Sequence, residues 1–179
     1  MDLDKIIEGC IKGNPKAQKA LYDMFSDKLF GVCLRYCRCR EDAQDVFQDS
    51  FVKVFNSLDK YKPFGSFEAW LRRIFVNQAL NFYRYDKNFS HISTDDCDIP
   101  SEEIDNESFY DKFSNQMLLD SVQKLANRQR IIFNMIEIED CSYEEVADML
   151  DVTQECIRSQ IFKVRRKLRT LLTELADKE

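Results

Sequence analysis

The segment from Arg158 to Arg169 carries six basic side chains and no acid. The six are Arg158, Lys163, Arg165, Arg166, Lys167 and Arg169. Apolar residues in this stretch recur at steps of three and four, which predicts a helix with one buried face. The side chains predicted to point outward are Gln154, Glu155, Arg158, Ser159, Phe162, Lys163 and Arg166. Gln, Glu, Arg and Ser at the start of such a helix can hydrogen-bond base edges in the major groove, and the later bases suit phosphates.

Residues 61–85 combine eight aromatic side chains with four bases and a single acid. The aromatic residues are Tyr61, Phe64, Phe67, Trp70, Phe75, Phe82, Tyr83 and Tyr85. Aromatic rings stack on unpaired bases while cations follow the backbone, so this composition suits single-stranded DNA. Phe67, Trp70 and Phe75 share helical spacing with apolar neighbours, and we predict that they are core residues instead. Tyr61 and Phe64 lie in a turn, where a core role explains them less well.

An acidic face is predicted on the helix that precedes this aromatic segment. Its polar residues are Glu41, Asp42, Asp45, Gln48, Asp49 and Asp59. They lie opposite a stripe of Phe and Val residues at helical spacing. One interpretation is an ordinary solvated face, and the other is a docking surface for a basic protein partner.

Cys33, Cys37 and Cys39 could be combined with His91, the single histidine, into a zinc site. Cys33 and Cys37 are one turn apart on a predicted helix, and cysteine is commonly a small buried residue. We therefore predict no metal and no cofactor. The chain has no Gly-rich phosphate loop, nucleophile elbow or clustered pocket acids, so an enzyme is not expected.

The elements that must position these residues are predicted to be helices, because helical periodicity runs through most of the chain and no period-two strand pattern is present. The predicted helices are a short one ending at Gly13, a second starting at Asn14-Pro15, a third after Arg38–Asp42, a fourth from Ser66 to about Tyr85, and two more over Met117–Leu125 and Asn127–Ile138. The predicted fold class is all-α.

Residues 89–112 interrupt this pattern with eight acids and one base. Such a composition cannot bury enough apolar surface to offset its ordering entropy, which predicts a flexible acidic linker. Two small helical domains, 1–88 and 113–179, are therefore expected on either side of it. Without this segment, the chain has 25 Lys and Arg against 24 Asp and Glu, so the net charge of −6 does not exclude nucleic-acid binding.

The C-terminal domain is predicted to contain a helix-turn-helix formed by Tyr143–Leu150 and Gln154–Leu172. Ser142 and Glu145 have the spacing of a capping box for the first helix. Asp151 stands where the motif usually has glycine, and Asp tolerates the left-handed conformation that such a turn requires. The predicted core face of the second helix is Ile157, Ile161, Val164, Leu168 and Leu171.

No apolar run approaches the roughly 18 residues of a membrane span, and the first residues do not resemble a secretory signal. Seven cysteines without disulfide spacing indicate a reducing compartment. We expect a cytoplasmic protein with no membrane insertion.

Three motifs, in order, carry a resemblance to a known family. They read E-D-A-Q-D-V-F-Q-D-S-F, then F-G-S-F-E-A-W-L-R-R-I-F-V-N-Q-A-L-N-F-Y-R, then S-Y-E-E-V-A-D-M-L-D-V-T-Q-E-C-I-R-S-Q-I-F-K-V-R-R-K-L-R. The chain resembles a bacterial extracytoplasmic-function RNA polymerase sigma factor. The resemblance implies that residues 1–88 are the region-two domain and 113–179 the region-four domain. It also implies binding to core RNA polymerase, recognition of a two-part promoter, and DNA melting.

Site residues follow from the resemblance position by position. Asp45, Gln48 and Asp49 match the helix that docks on the polymerase beta-prime clamp. Tyr61 and Asn77 match positions that hold a flipped minus-ten base, with Lys60, Lys62 and Phe64 in the adjoining loop. Arg158, Ser159, Phe162 and Lys163 match readers of the minus-thirty-five element, with Gln154 and Glu155 in the same groove. Two departures are Leu125-Ala126 for a common Leu-Pro and Glu155-Cys156 for a common Gly-Thr.

The implied partners are core RNA polymerase, through its beta-prime clamp and beta flap, and promoter DNA. An anti-sigma factor is a further partner that the resemblance leaves open. Two other classes of protein fit parts of the pattern. A stand-alone helix-turn-helix regulator would bind a palindromic duplex site, and a helical adaptor would have no role for the basic cluster that begins at Arg158.

Overall fold

The computed structural model describes residues 2–62, 65–84 and 107–177, and the chain divides into two compact units, Met1–Tyr85 and Asp86–Glu179. Unit 1 contains α1 (Leu3–Ile11), α2 (Pro15–Tyr36), α3 (Arg40–Phe55), a 3₁₀ turn (Leu58–Lys60) and α4 (Phe67–Arg84). Unit 2 contains α5 (Glu107–Tyr110), α6 (Asn115–Gln123), α7 (Asn127–Phe133), a π turn (Asn134–Ile138), α8 (Tyr143–Leu150) and α9 (Gln154–Ala176). The described residues form no strand, and the all-α prediction is confirmed. In this part of the chain, no helix combines the length and the apolar character needed to cross a membrane.

Local capping signals set the starts of α2 and α4. The Asn14 Oδ1 accepts a hydrogen bond from the backbone N–H of Lys16 at 2.9 Å, and Pro15 occupies the first helical position. The Ser66 Oγ accepts from the backbone N–H of Ala69 at 3.1 Å. Both side chains satisfy backbone N–H groups that have no partner within the helix, and both helix starts agree with the prediction.

The core of unit 1 lies between α2, α3 and α4 and is rich in aromatic rings. The rings of Phe47, Phe51 and Phe75 contact one another edge to face, with centroids 5.0 to 5.8 Å apart. Phe67 and Phe75 are buried, as predicted. Trp70 is only half-buried and stacks on Phe67 at 5.5 Å, so its assignment to the core is only partly right.

The hydroxyl of Tyr83 on α4 fixes the loop between α2 and α3. It accepts a hydrogen bond from the backbone N–H of Arg38 at 3.0 Å and donates to the Asp42 carboxylate at 3.2 Å. Since the Tyr83 ring is buried, this contact ties the start of α3 to the end of α4. The contact therefore helps to set how α3 presents its polar face.

The cysteines of unit 1 behave as small core residues. Cys10, Cys33 and Cys37 are buried, and burial, with a smaller effect from Cys37, raises the pKa of the Cys33 thiol to about 12. The Sγ of Cys39 accepts from a backbone N–H in the first turn of α3. His91 lies outside the described residues. Among the described residues, no three His, Cys, Asp or Glu side chains come together as a possible metal site.

A buried arginine holds the turn between α6 and α7. The Arg130 guanidinium donates to the carbonyls of Gln123 at 3.2 Å and Leu125 at 3.1 Å, and to the Asn127 Oδ1 at 2.7 Å. The last carbonyls of a helix lack partners within the helix, so Arg130 caps the C-terminal end of α6. The turn at Leu125-Ala126 is therefore fixed by a side chain.

The predicted helix from Asn127 to Ile138 is present but changes pitch part-way. The α-helical part ends at Phe133 and a π turn, Asn134–Ile138, follows. A π turn adds a residue to the turn and so rotates the side chains that follow it. The carboxylate of Glu137 in this turn reaches α9, where it contacts Arg165.

The helix-turn-helix has the predicted local structure. Ser142 and Glu145 form the reciprocal capping box. The Ser142 backbone nitrogen lies 2.8 Å from the Glu145 Oε2, and the Glu145 backbone nitrogen lies 3.2 Å from the Ser142 Oγ. Asp151 ends α8 in the left-handed conformation, with φ 56° and ψ 53°. The Thr153 Oγ1 accepts from the backbone N–H of Cys156 at 3.2 Å and caps α9.

The C-terminal end of the predicted linker belongs to unit 2. Residues 107–110 form the short helix α5, and the Tyr110 and Phe133 rings lie 6.3 Å apart. The pKa of the Tyr110 hydroxyl is raised to about 12, mainly by burial. The flexible-linker prediction for 89–112 is wrong over this part, because the aromatic residues Phe109, Tyr110 and Phe113 anchor it in spite of the surrounding acids. Residues 85–106 lie outside the described residues.

Candidate nucleic-acid interface

The helix α9 presents a polar face opposite its buried stripe. Arg158, Arg166 and Glu155 are exposed, and Gln154, Phe162 and Lys163 are half-buried. The buried stripe consists of Ile157, Ile161, Val164, Leu168 and Leu172, and Cys156 and Gln160 beside it are also buried. Leu172 takes the place predicted for Leu171, which is half-buried, since a straight helix drifts away from an exact four-and-three repeat. The N-terminal half of α9 thus offers side chains of the kinds that read bases.

Ser159 does not belong to this accessible face. Its exposure is 0%, although its position on the helix is on the side of Glu155 and Phe162. Cys156, one turn before it, and Gln160, directly after it, are buried as well, so the buried side of α9 extends around the helix and includes Ser159. The outward orientation predicted for Ser159 is therefore wrong.

The Arg158 guanidinium is associated with an aromatic ring of the preceding helix. Its Cζ lies 5.7 Å from the centroid of the Tyr143 ring, over the ring face. This distance is within the range of a cation–π contact. Tyr143 is the first residue of α8, so the contact spans the two helices of the motif.

Two other bases of α9 have structural partners. The Arg165 Nε donates to the Glu137 carboxylate at 2.9 Å, and both side chains are mostly buried. Burial alone lowers the pKa of Arg165, but the hydrogen bond and charge of Glu137 outweigh it, and the pKa is raised. The Arg169 guanidinium lies 4.7 Å from the centroid of Phe109. Both arginines therefore make contacts within unit 2.

The predicted minus-ten residues around the 3₁₀ turn lie beside an aromatic cluster. The Tyr61 ring is 5.0 Å from that of Phe67 and 5.2 Å from that of Trp70. Lys60 and Lys62 on either side of it are exposed. Phe64 lies outside the described residues. The half-buried state of Tyr61 and Trp70 leaves part of each ring accessible for stacking on a base.

Asn77 is exposed on the face of α4 that begins at Trp70. The two residues are seven apart, which places them on one side of the helix with about 10 Å of rise between them. Arg73, between them, is also exposed. Trp70 and Arg73 are further candidate DNA contacts, which the sequence analysis did not select. They lie seven and four residues before Asn77, and this spacing places all three on one side of a helix.

The predicted docking residues Asp45, Gln48 and Asp49 are all exposed on α3, and the intervening Val46 and Phe47 are buried. Val52, one turn further, is 60% exposed and extends this face with an apolar residue. Gln48 also lines an open groove of about 430 Å³ between α2 and α3. The other residues that line the groove are Tyr22, Ser26, Asp27, Phe30, Gln44 and Phe47. The face combines acids with accessible apolar surface, which suits a basic amphipathic partner.

Two segments of the chain match known protein families. Residues 21–89 match the Sigma-70 region 2 family, and residues 115–168 match the Sigma-70 region 4 family. Together these segments cover more than half of the chain. They contain most of α2 and α9 and the whole of α3, α4 and α6 to α8, and therefore all three faces described above.

Relatives match the chain over nearly its whole length. The ECF RNA polymerase sigma-E factor of Haemophilus influenzae is 26% identical over 185 residues, covering 95% of each chain. That of Escherichia coli is 28% identical over 174 residues, covering 91% of this chain and 90% of the relative.

Solved structures share the fold. The sigma factor RpoE from Bartonella quintana, in complex with the anti-sigma factor NepR, has a TM-score of 0.53 and 20% identity, with 87% of this chain and 96% of that one covered. CnrH in complex with the cytosolic domain of CnrY has a TM-score of 0.51 and 23% identity, with coverage of 97% and 99%. Both sigma-70 regions are present in order, and relatives match more than nine-tenths of the chain. The chain therefore belongs to the extracytoplasmic-function sigma factors, which bind core RNA polymerase, direct it to specific promoters and promote DNA melting for transcription initiation.

Proposed function

We propose that the two units divide promoter recognition between them. Residues 1–88 form the domain that binds core polymerase and the minus-ten element, and the C-terminal domain reads the minus-thirty-five element. Because α5 packs with the second unit, this domain starts near residue 107 instead of 113. The chain acts by binding and has no catalytic activity of its own.

The minus-thirty-five element is read by the N-terminal half of α9. Arg158 and its neighbours Gln154, Glu155, Phe162 and Lys163 enter the major groove, and Arg166 binds phosphate. The observation that carries this proposal is the exposure of Arg158 and Arg166 on α9, outside its buried stripe. Arg can bind guanine through two hydrogen bonds, while a later cation on the helix meets the DNA backbone.

The R158A and R166A substitutions are expected to have different effects. R158A should cost about 1–3 kcal/mol and relax the preference at one upstream base pair. R166A should weaken binding to all sequences and reduce the slope of log K against log salt by about one. Holoenzyme binding to promoter variants across a salt series measures both quantities. If the two phenotypes are exchanged, the proposed rotation of α9 on DNA is wrong.

The minus-ten element is held between the 3₁₀ turn and α4. Tyr61 and Asn77 form the pocket of an extruded base, while Lys60 and Lys62 contact the backbone beside it. Phe64 is assigned to the same loop from the family resemblance alone. The support from the structure is the accessible Tyr61–Trp70 ring surface and the exposed amide of Asn77 on one side of α4.

The N77A substitution is expected to impair promoter opening while the polymerase complex stays intact. Extruding a base costs a few kcal/mol on paired DNA, so the loss of one pocket group matters most on a fully paired template. Potassium permanganate footprinting and run-off transcription measure the effect. A pre-melted bubble template should restore most of the activity. Equal losses on both templates would show that Asn77 has a structural role.

The exposed acids of α3 dock on the beta-prime clamp, and the C-terminal domain contacts the beta flap. Since the site of action is RNA polymerase, the protein works in the cytoplasm. The solved sigma factor from Bartonella quintana is in complex with an anti-sigma factor. A partner of this kind that covered the α3 face would block docking on polymerase.

Run-off transcription with purified core polymerase on promoter libraries tests the proposal as a whole. Promoter-specific transcripts are expected only when the chain is added. A stand-alone regulator would instead bind a palindromic duplex tightly without polymerase. A helical adaptor would do neither.

A further inference from the structure

The contact between Arg158 and Tyr143 joins the predicted base reader to the helix in front of it. The guanidinium of Arg158 is exposed and lies over the Tyr143 ring, 5.7 Å from its centroid. Tyr143 is half-buried and directly follows Ser142, the capping residue of α8. The cap therefore fixes the backbone that carries the Tyr143 ring, and the Arg158 guanidinium lies over the face of this ring.

We propose that Tyr143 is a positioning residue that holds Arg158 in the orientation needed to read a base pair before DNA arrives. This inference rests on the proposed function of Arg158. An arginine side chain has many rotamers, and each binding event must restrict them. A ring that already restricts the rotamers in the free protein reduces the entropy lost on binding. It also fixes the direction in which the N–H groups of the guanidinium point.

A ring suits this task better than a carboxylate would. Stacking uses the flat face of the guanidinium, so the N–H donors at its edge stay available for a base. A carboxylate partner would occupy the same donors and would have to be displaced. The ring also attracts the cation near the start of α9, where the positive end of the helix dipole repels it.

Ring-free variants of Tyr143 test the proposal in reconstituted holoenzyme. Transcription from a promoter library randomised across the upstream element gives the preference at each base pair. Y143L and Y143M are expected to lower the preference at the pair read by Arg158 by about two- to fivefold, the range for an exposed cation–π contact. Y143F, which keeps the ring, should match the unmodified protein. In an R158A background, Y143L should cause no further change at this pair.

A measurement without DNA gives an independent readout. In the full chain, the ring current of Tyr143 should shift the Arg158 Nε–Hε NMR signal upfield. The shift should disappear in Y143L and remain in Y143F. An unshifted Arg158 signal in the unmodified chain would overturn the inference.

The outcomes separate this inference from the proposed function. If R158A leaves every preference unchanged in active holoenzyme, the base-reading role of Arg158 fails and this inference fails with it. If R158A relaxes one pair but Y143L and Y143M do not, only the positioning role fails. A uniform loss at all pairs in folded Y143L and Y143M would show that Tyr143 is structural.

Discussion

Replacing both Asp45 and Asp49 with lysine is expected to abolish co-purification of the protein with core RNA polymerase. The two carboxylates are exposed and one turn apart on α3, so the double change reverses the charge of the proposed docking face. Like charges placed against a basic partner cost several kcal/mol, which is enough to lose a complex during purification. The helicity and melting temperature should hardly change, because exposed charges contribute little to stability.

Asp4 and Glu8 offer a matched control for this experiment. They are also exposed, four residues apart and on a helix of unit 1, but on α1 instead of α3. The D4K/E8K variant carries the same change in net charge and should keep polymerase binding. A folded D45K/D49K protein that still co-purifies would contradict the docking assignment. Loss of binding in both variants would point to a general charge effect.

The R130M substitution is expected to lower the free energy of unfolding of unit 2 by about 2–4 kcal/mol. The Arg130 side chain is fully buried and donates to two backbone carbonyls and one amide oxygen. Methionine preserves much of the apolar stem but leaves these acceptors without their donor. A buried acceptor that loses its partner pays its full desolvation cost.

The single tryptophan makes this prediction specific to one unit. Trp70 lies in unit 1, so its fluorescence follows the unfolding of unit 1, whereas circular dichroism follows both units. R130M should shift the unfolding of unit 2 in the circular dichroism curve and leave the fluorescence curve, which reports unit 1, unchanged. R166M, at an exposed position of α9, is the control and should change neither curve. An unchanged curve for R130M would show that other groups replace the lost donor.

Local signals in the sequence were sufficient for the starts of α2, α4, α8 and α9, but not for every boundary, since α3 begins at Arg40, inside the stretch predicted to precede it. The Ser142–Glu145 capping box, the Asn14-Pro15 start and the left-handed Asp151 each act within four residues, so one stretch of sequence contains the whole interaction. The buried stripe of α9 was predictable for the same reason, because it depends only on helical spacing.

Interactions between distant residues were not predictable in this way. Arg165 is one of the six bases of the segment 158–169, and nothing near it in the sequence indicated its pairing with Glu137, which is 28 residues away. The burial of Arg130 was not predicted either, although its acceptors lie within seven residues, because two of the three are backbone carbonyls that every sequence has. Phe109 and Tyr110 were assigned to the linker because the average composition of 89–112 concealed a short aromatic anchor.

The candidate site was predicted best where the family motif supplied the positions. Asp45, Asp49 and Arg158 are exposed as expected. The burial of Ser159 was not expected, because the apolar stripe alone does not show that the buried side of α9 also includes Cys156 and Gln160. The accessible surface of Trp70 was missed because aromatic residues at helical spacing usually belong to a core.

The buried cysteines give each unit its own reporter of transient opening. The thiol of Cys33, with its pKa near 12, is protonated at neutral pH and shielded from solvent, while Cys156 is similarly buried in unit 2. Only a thiolate reacts with an alkylating reagent, so labelling requires that the surrounding helices separate first. Peptide mass spectrometry of a labelling time course therefore yields two opening rates from one native sample, without any engineered probe. Repeating it with core polymerase bound would show which unit the enzyme protects.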